Sequence, residues 1–148
     1  MKEIFIQILK NKIFITTLFA WVVAQSIKVS LGVIQKKRFD FRWFVGTGGM
    51  PSSHAAGASC LATSVGLKYG FDSVYFALAA VFAIVVMFDA QGVRRATGKQ
   101  ASILNKMMED IYFKGRIQEG YLRELIGHTP VEVIMGFLLG IVIAFLAQ

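Results

Sequence analysis

The sequence predicts an all-α integral membrane protein, a helical bundle of about four transmembrane helices plus an amphipathic helix on the membrane surface. Hydrophobic residues make up 55% of the 148 residues and charged residues 17%, which is more apolar than a typical soluble domain. The mean hydropathy is +0.59. The net charge is +7, and its basic residues lie between apolar blocks. This length predicts a single membrane domain, residues 1–148.

The first third of the chain predicts an interfacial segment, one span and a basic loop. Residues 2–12 alternate lysine with apolar residues, and residues 13–34 form an apolar run of the roughly 20 residues that a span needs. Lys28 in this run either extends to the interface or belongs to a site, and it shares a helix face with Gln25. Residues 35–45 interleave basic and aromatic side chains, a pattern that suits a headgroup interface or an anion pocket.

A glycine- and serine-rich turn precedes the second predicted helix, residues 54–69. Gly48 and Gly49 permit unusual backbone angles, and either Ser52 or Ser53 can cap the helix that follows. A capped helix start offers N–H groups to a phosphate. The helix consists mostly of small residues, which allow close packing inside a bilayer, so we expect it to be an inner helix.

Two further spans and a surface helix are predicted in the second half. Residues 73–88 are apolar, residues 97–121 are polar with apolar residues at helical spacing, and residues 131–147 form the last span. Thr129 and Glu132 fit a capping box at the start of that span. Gly136 and Gly140 form a small-residue seam for close helix packing.

Four spans would bring His54 and His128 to the same side of the membrane, since one begins the second span and the other the fourth. Most of the lysines and arginines lie on that side, so the positive-inside rule places it in the cytoplasm. We expect the protein to lie in a bacterial-type cell membrane. Long apolar runs argue against nucleic-acid binding, and the single cysteine, Cys60, excludes an internal disulfide.

Three motifs together resemble the divergent branch of the type 2 phosphatidic acid phosphatases, a family whose site is shared with vanadium-dependent haloperoxidases. They are Gly-Gly-Met-Pro-Ser-Ser-His at residues 48–54, Asp-Ala-Gln-Gly-Val-Arg-Arg at residues 89–95, and Gly-His-Thr-Pro at residues 127–130. The resemblance runs from about residue 28 to residue 140.

The resemblance implies a role for each site residue. His128 would be the nucleophile, Glu132 would orient it, and His54 would be the general acid. By the resemblance, the phosphate would be held by Lys36, Arg42, Ser52, Ser53 and Arg123, and Gly49 is a further candidate in the same turn. The sequence adds the hypothesis that Arg94 and Arg95 replace a lost phosphate contact, with Asp89 in support. Asp89 and the two arginines after it also fit an ion pair with basic membrane anchors. The resemblance implies that neither a metal nor a cofactor is needed.

The chain departs from the family pattern in the first motif. Five residues separate Lys36 from Arg42, where the family has six, and Trp43 stands where the family has proline. Lys37 or Lys28 are alternative sources of the lysine.

The second and third motifs also differ from the family pattern. Ser53 replaces glycine and Glu132 replaces aspartate. Leu122 replaces serine, and Arg123 lies five residues before His128 instead of six.

The resulting functional prediction is a membrane-embedded lipid-phosphate phosphohydrolase that acts through a phosphohistidine, as a phosphomonoesterase or pyrophosphohydrolase. The alternative is a catalytically inactive membrane protein that binds phospholipid headgroups or a protein partner. The expected partners are a lipid-phosphate substrate and membrane lipids, and a homo-oligomer is left open.

Overall fold

The structure, a computed structural model, describes residues 1–37, 49–112 and 127–147. Within these ranges all regular secondary structure is α-helical, which confirms the predicted fold class. The helices are α1 (Lys2–Lys10), α2 (Lys12–Lys36), α3 (Ser53–Tyr69), α4 (Val74–Gln91), α5 (Val93–Tyr112) and α6 (Pro130–Ala147).

Helix α3 is the centre of the bundle, because it packs against α2, α4 and α6. Its buried residues are nearly all small: Ser53, Ala55, Ala56, Gly57, Ala58, Ser59, Cys60, Ala62, Thr63, Ser64 and Gly66. Small side chains let three neighbouring helices approach one axis. The predicted inner helix is therefore present and has the expected role in packing.

Among the residues that the structure describes, three stretches are long and apolar enough to cross a membrane: Lys12–Ile34, Val74–Met108 and Pro130–Ala147. Helix α3 has 17 residues. At 1.5 Å per residue it is about 25 Å long, a little less than a typical hydrocarbon core. The expected bundle of about four spans is thus three long apolar helices around a shorter inner helix.

Close contact between α3 and α6 depends on the predicted glycine seam. A Cβ at Gly136 would clash with the carbonyl oxygen of Ser52, and one at Gly140 would clash with the carbonyl oxygen of Ala56 and the hydroxyl of Ser59. The Ser59 hydroxyl also donates to the carbonyl oxygen of Phe137 at 3.0 Å. The seam therefore sets how closely α6 approaches α3.

Helices α4 and α5 are separated only by Gly92, so the amphipathic helix begins at Val93, four residues before the predicted start. Gly92 itself has right-handed helical angles, φ −93° and ψ −72°, which explains why the chain continues helical across it. On α5, Ile103, Leu104 and Met107 are exposed apolar residues. The predicted continuation to residue 121 lies outside the described residues.

Candidate functional site

The first histidine motif forms the entry to α3. Gly49 has φ +89°, which favours glycine, and a cis peptide bond joins Met50 to Pro51. Ser52 is the N-cap, and its hydroxyl accepts from the backbone N–H of Ala55 at 3.3 Å. Ser52 and Ser53 are 0% and 2% exposed, respectively. Of the two predicted caps, Ser52 is the one used, so its hydroxyl has a structural task at this helix start.

The second histidine motif forms the entry to α6. His128 Nδ1 lies 3.1 Å from Glu132 Oε2. The same carboxylate oxygen accepts from the backbone N–H of Thr129 at 3.0 Å, and the Thr129 hydroxyl accepts from the backbone N–H of Glu132 at 3.3 Å. Glu132 is therefore both the capping-box residue and the partner of the histidine ring.

This contact selects one form of the His128 ring. An ionised carboxylate only accepts hydrogen bonds, so Nδ1 is the protonated nitrogen when the imidazole is neutral. The lone pair then lies on Nε2, which is buried. The geometry thus prepares Nε2 as a base or a nucleophile.

Backbone hydrogen bonds join the two motifs to each other and to the end of α4. The N–H of Ser52 donates to the carbonyl oxygen of Glu132 at 2.9 Å, and the N–H of His128 donates to the carbonyl oxygen of Ala90 at 3.0 Å. The rings of His54 and His128 are 6.0 Å apart between centroids, at an interplanar angle of 61°. Three helix ends therefore meet at one histidine pair.

A buried lysine from α2 lies beside this junction. Lys28 is 9% exposed, and its Nζ donates to Gln25 Oε1 at 2.9 Å. A Cβ at Gly49 would lie 3.1 Å from Lys28 Cγ, so the lysine side chain packs directly against the first motif. Glu132 acts electrostatically on the Lys28 ammonium. Of the two alternatives for Lys28, its position in the structure supports membership of the site.

Several predicted site residues come together at this junction, and the others lie partly or wholly outside the described residues. Gly49, Ser52, Ser53, His54, His128 and Glu132 are brought together. Asp89 precedes Ala90 and so lies at the edge of the junction. Lys36 ends α2, and Arg94 and Arg95 lie in the first turn of α5, with side chains outside the described part. Arg42 and Arg123 are outside it entirely.

Lys28 was predicted only as an alternative to Lys36 for the phosphate-binding lysine, although the sequence carried a further signal for it. A charged side chain within a membrane span is costly and usually faces protein or water, and Gln25 is spaced to be its partner. No sequence pattern points to the carbonyl oxygens of Ala90 and Glu132, because any residue provides a carbonyl group. These backbone contacts are visible only in the structure.

Comparison with known proteins agrees with the motifs. The model of the Divergent PAP2 family matches residues 9–143. The uncharacterized membrane protein YuiD of Bacillus subtilis (strain 168) is 40% identical over 148 residues, covering 93% of this chain and 94% of YuiD. No solved structure matches the chain significantly. The chain therefore belongs to the Divergent PAP2 family of membrane proteins.

Proposed function

We propose that this protein hydrolyses a lipid phosphate at the membrane surface through a phosphohistidine on His128. The observation that carries the proposal is the His128–Glu132 pair with the His54 ring 6.0 Å away. Family membership supports a relationship to phosphatases. A nucleophile with a fixed tautomer and a second titratable ring beside it are the parts that phosphoryl transfer through histidine requires.

In the first step, the lone pair of His128 Nε2 attacks phosphorus and the bond from phosphorus to the lipid oxygen breaks. His54 gives its proton to that leaving oxygen. In the second step, water attacks phosphorus, the P–N bond breaks, and His54 takes a proton from the water. Inorganic phosphate leaves, and both histidines return to their starting states.

Glu132 stabilises the positive charge that His128 acquires when Nε2 is phosphorylated. Lys28 is suited to stabilise the negative charge on the phosphoryl oxygens, since an ammonium has three N–H donors and Gln25 accepts from one. Backbone N–H groups at the start of α3 would add to this, together with the positive end of its dipole. Arg94 and Arg95 enter the proposal as further phosphate ligands.

A lipid phosphate fits better than a soluble one because the site lies where membrane helices end. Lys28 lies within the apolar stretch Lys12–Ile34, and the apolar stretch Pro130–Ala147 begins two residues after His128. Both stretches therefore continue from the site into the hydrocarbon layer. A phosphate at headgroup depth would meet the histidines while its tail stays beside these helices.

The decisive experiment measures phosphate release by the purified protein from a panel of lipid monophosphates and diphosphates. Wild-type protein is expected to release phosphate, and His128→Ala is expected to lose all turnover while keeping its thermal unfolding midpoint. Equal release by both proteins would attribute the activity to a contaminant and contradict the proposal. Trapping a base-stable, acid-labile phosphoryl group on wild-type protein but not on His128→Ala would identify the intermediate.

The role of His54 is separated by the choice of leaving group. His54→Ala is expected to slow hydrolysis of a lipid monophosphate by about 10²- to 10⁴-fold, the usual contribution of a general acid. In the first step, measured as the initial burst of released alcohol, it should slow an aryl phosphate much less, because a phenolate with a low pKa leaves without a proton. Equal slowing of the burst for both substrates would remove the acid role from His54.

The non-catalytic alternative uses the same cations without turnover. It is favoured by one observation, that Glu132 also caps α6 and so has a structural reason to be present. In that case no lipid phosphate would be hydrolysed, yet a phosphate lipid would bind to wild-type protein in a salt-dependent way. Lys28→Gln would weaken that binding, whereas Lys12→Gln, on the same helix but at its other end, would not.

A further inference from the structure

A basic cleft lies at the opposite end of the bundle from the histidines. Its volume is about 520 Å³, and it is formed where α1 meets α2 and where α3 ends. The chain direction places it there: α2 begins and α3 ends at this cleft, whereas α2 ends and α3 begins at the histidine junction. The cleft is therefore separate from the proposed catalytic site.

The lining combines two cations with uncharged polar groups over an apolar floor. Lys10 and Lys68 are both exposed, and Gln7, Asn11 and Tyr69 add polar atoms. Ile13 and Val65 form the apolar part. Of the described residues, those that line the cleft include no carboxylate. The cleft thus has a positive rim with no opposing charge in its wall.

Helix α1 places this cleft at headgroup depth. Four of its five apolar residues, Ile4, Phe5, Ile8 and Leu9, lie on one side of the helix, and Ile6 lies on another. All five are exposed, and α1 has no buried residue. An amphipathic helix of this kind lies in the membrane interface with its apolar side in the acyl region. Helix α2 begins after Asn11, whose side chain accepts from the backbone N–H of Phe14 at 3.1 Å.

We propose that this cleft binds the headgroup of an anionic phospholipid, with Lys10 and Lys68 on the phosphate. Charge complementarity favours an anionic over a zwitterionic lipid, because a choline headgroup would bring a third cation to the two lysines. The apolar floor provided by Ile13 and Val65 favours a lipid over a free phosphate, since an acyl chain can cover it. Lys68 also lies 5.4 Å from the centre of the Tyr69 ring, which orients its ammonium at the rim.

The test is native mass spectrometry of the detergent-purified protein with phosphatidylglycerol or phosphatidylcholine of the same acyl chains. Wild-type protein is expected to prefer phosphatidylglycerol, and Lys10→Gln/Lys68→Gln is expected to lose about tenfold of that preference. The matched control is Lys2→Gln/Lys12→Gln, which removes the same charge from the N-terminal helices without touching the lining of the cleft. The control should keep the wild-type preference.

Three outcomes would overturn the proposal. They are an equal loss in the control, an unchanged preference in the cleft variant, and displacement of the lipid by millimolar glycerol phosphate. The first would mean that only overall charge matters, and the last that the acyl chain contributes nothing. Phosphate release by the cleft variant is expected to equal that of wild type, so failure here and failure of the catalytic proposal are distinguishable.

Discussion

A single carboxylate oxygen of Glu132 accepts hydrogen bonds from two donors, Nδ1 of His128 and the backbone N–H of Thr129. The first contact belongs to the proposed chemistry and the second to the start of α6. Because both depend on an acceptor in the same place, the presence of a glutamate does not by itself distinguish a catalytic from a structural role. The charge of the carboxylate does distinguish them, since capping needs an acceptor while stabilising a phosphorylated imidazole needs a negative charge.

Glu132→Gln is therefore the informative change at this position. The amide oxygen can still accept at the helix start, so we expect the thermal unfolding midpoint to change little. Catalytic turnover should fall by about 10- to 100-fold, the loss typical when the carboxylate that orients a metal-ligating histidine is changed. Steady-state phosphate release and thermal unfolding are measured on the same preparation.

Glu132→Ala is the companion variant, and it is expected to lose both turnover and about 1 kcal/mol of stability with the cap. A Glu132→Gln protein with wild-type turnover would assign the residue to capping alone.

At the scale of helices, the site depends on how closely α6 approaches α3. The carbonyl oxygen of Glu132 is held by Ser52 one turn before the glycine seam begins at Gly136. Since the seam has no room for a Cβ, a methyl group at Gly140 must push the two helices apart. The separation would be transmitted along α6 to the histidine pair, because the helix is short and continuous.

Gly140→Ala is expected to destabilise the protein by about 1–3 kcal/mol, the usual cost of overpacking. The matched control is Gly57→Ala on α3, where an added Cβ would meet only Trp21 Cβ at 4.0 Å. Alanine there should be neutral or stabilising by up to about 1 kcal/mol, because it favours the helix.

Cys60 supplies the readout for both glycine variants. Its thiol is buried at 0% exposure, so a fluorescent maleimide reports the temperature at which the bundle opens. Similar labelling temperatures for Gly140→Ala and Gly57→Ala would show that the seam does not limit packing.

For the whole molecule, hydropathy and residue size predicted most of the architecture. The spans, the small-residue inner helix and the glycine seam followed from apolar run length and side-chain volume, which act locally along the chain. The meeting of His54 and His128 followed from the number of crossings. The position of Lys28 could not be predicted, because the two alternatives for it differ only in where one side chain points in the folded protein. The hydrogen bond from His128 to Ala90 could not be predicted either, because it uses backbone atoms that every residue has.

The topology can be tested by labelling single cysteines in a Cys60→Ala background. Lys37, at the histidine end of α2, and Asp72, in the turn between α3 and α4, are both exposed. An impermeant maleimide applied to intact cells is expected to label Asp72→Cys and to reach Lys37→Cys only after lysis, given the positive charge at the histidine end. Labelling of both cysteines before lysis would contradict their placement on opposite sides of the membrane. The reverse pattern would agree with opposite sides but contradict a cytoplasmic location of the histidine end.

The hydrogen bond from His128 to the carbonyl oxygen of Ala90 connects the proposed nucleophile to a helix on the outside of the bundle. Helix α4 buries only Ala83 and Ala90, so much of its surface faces the surrounding lipid. A bilayer thinner or thicker than the helix makes such a helix tilt. Tilting would move the carbonyl that holds His128, so we expect a change in bilayer thickness to change the geometry of the histidine pair.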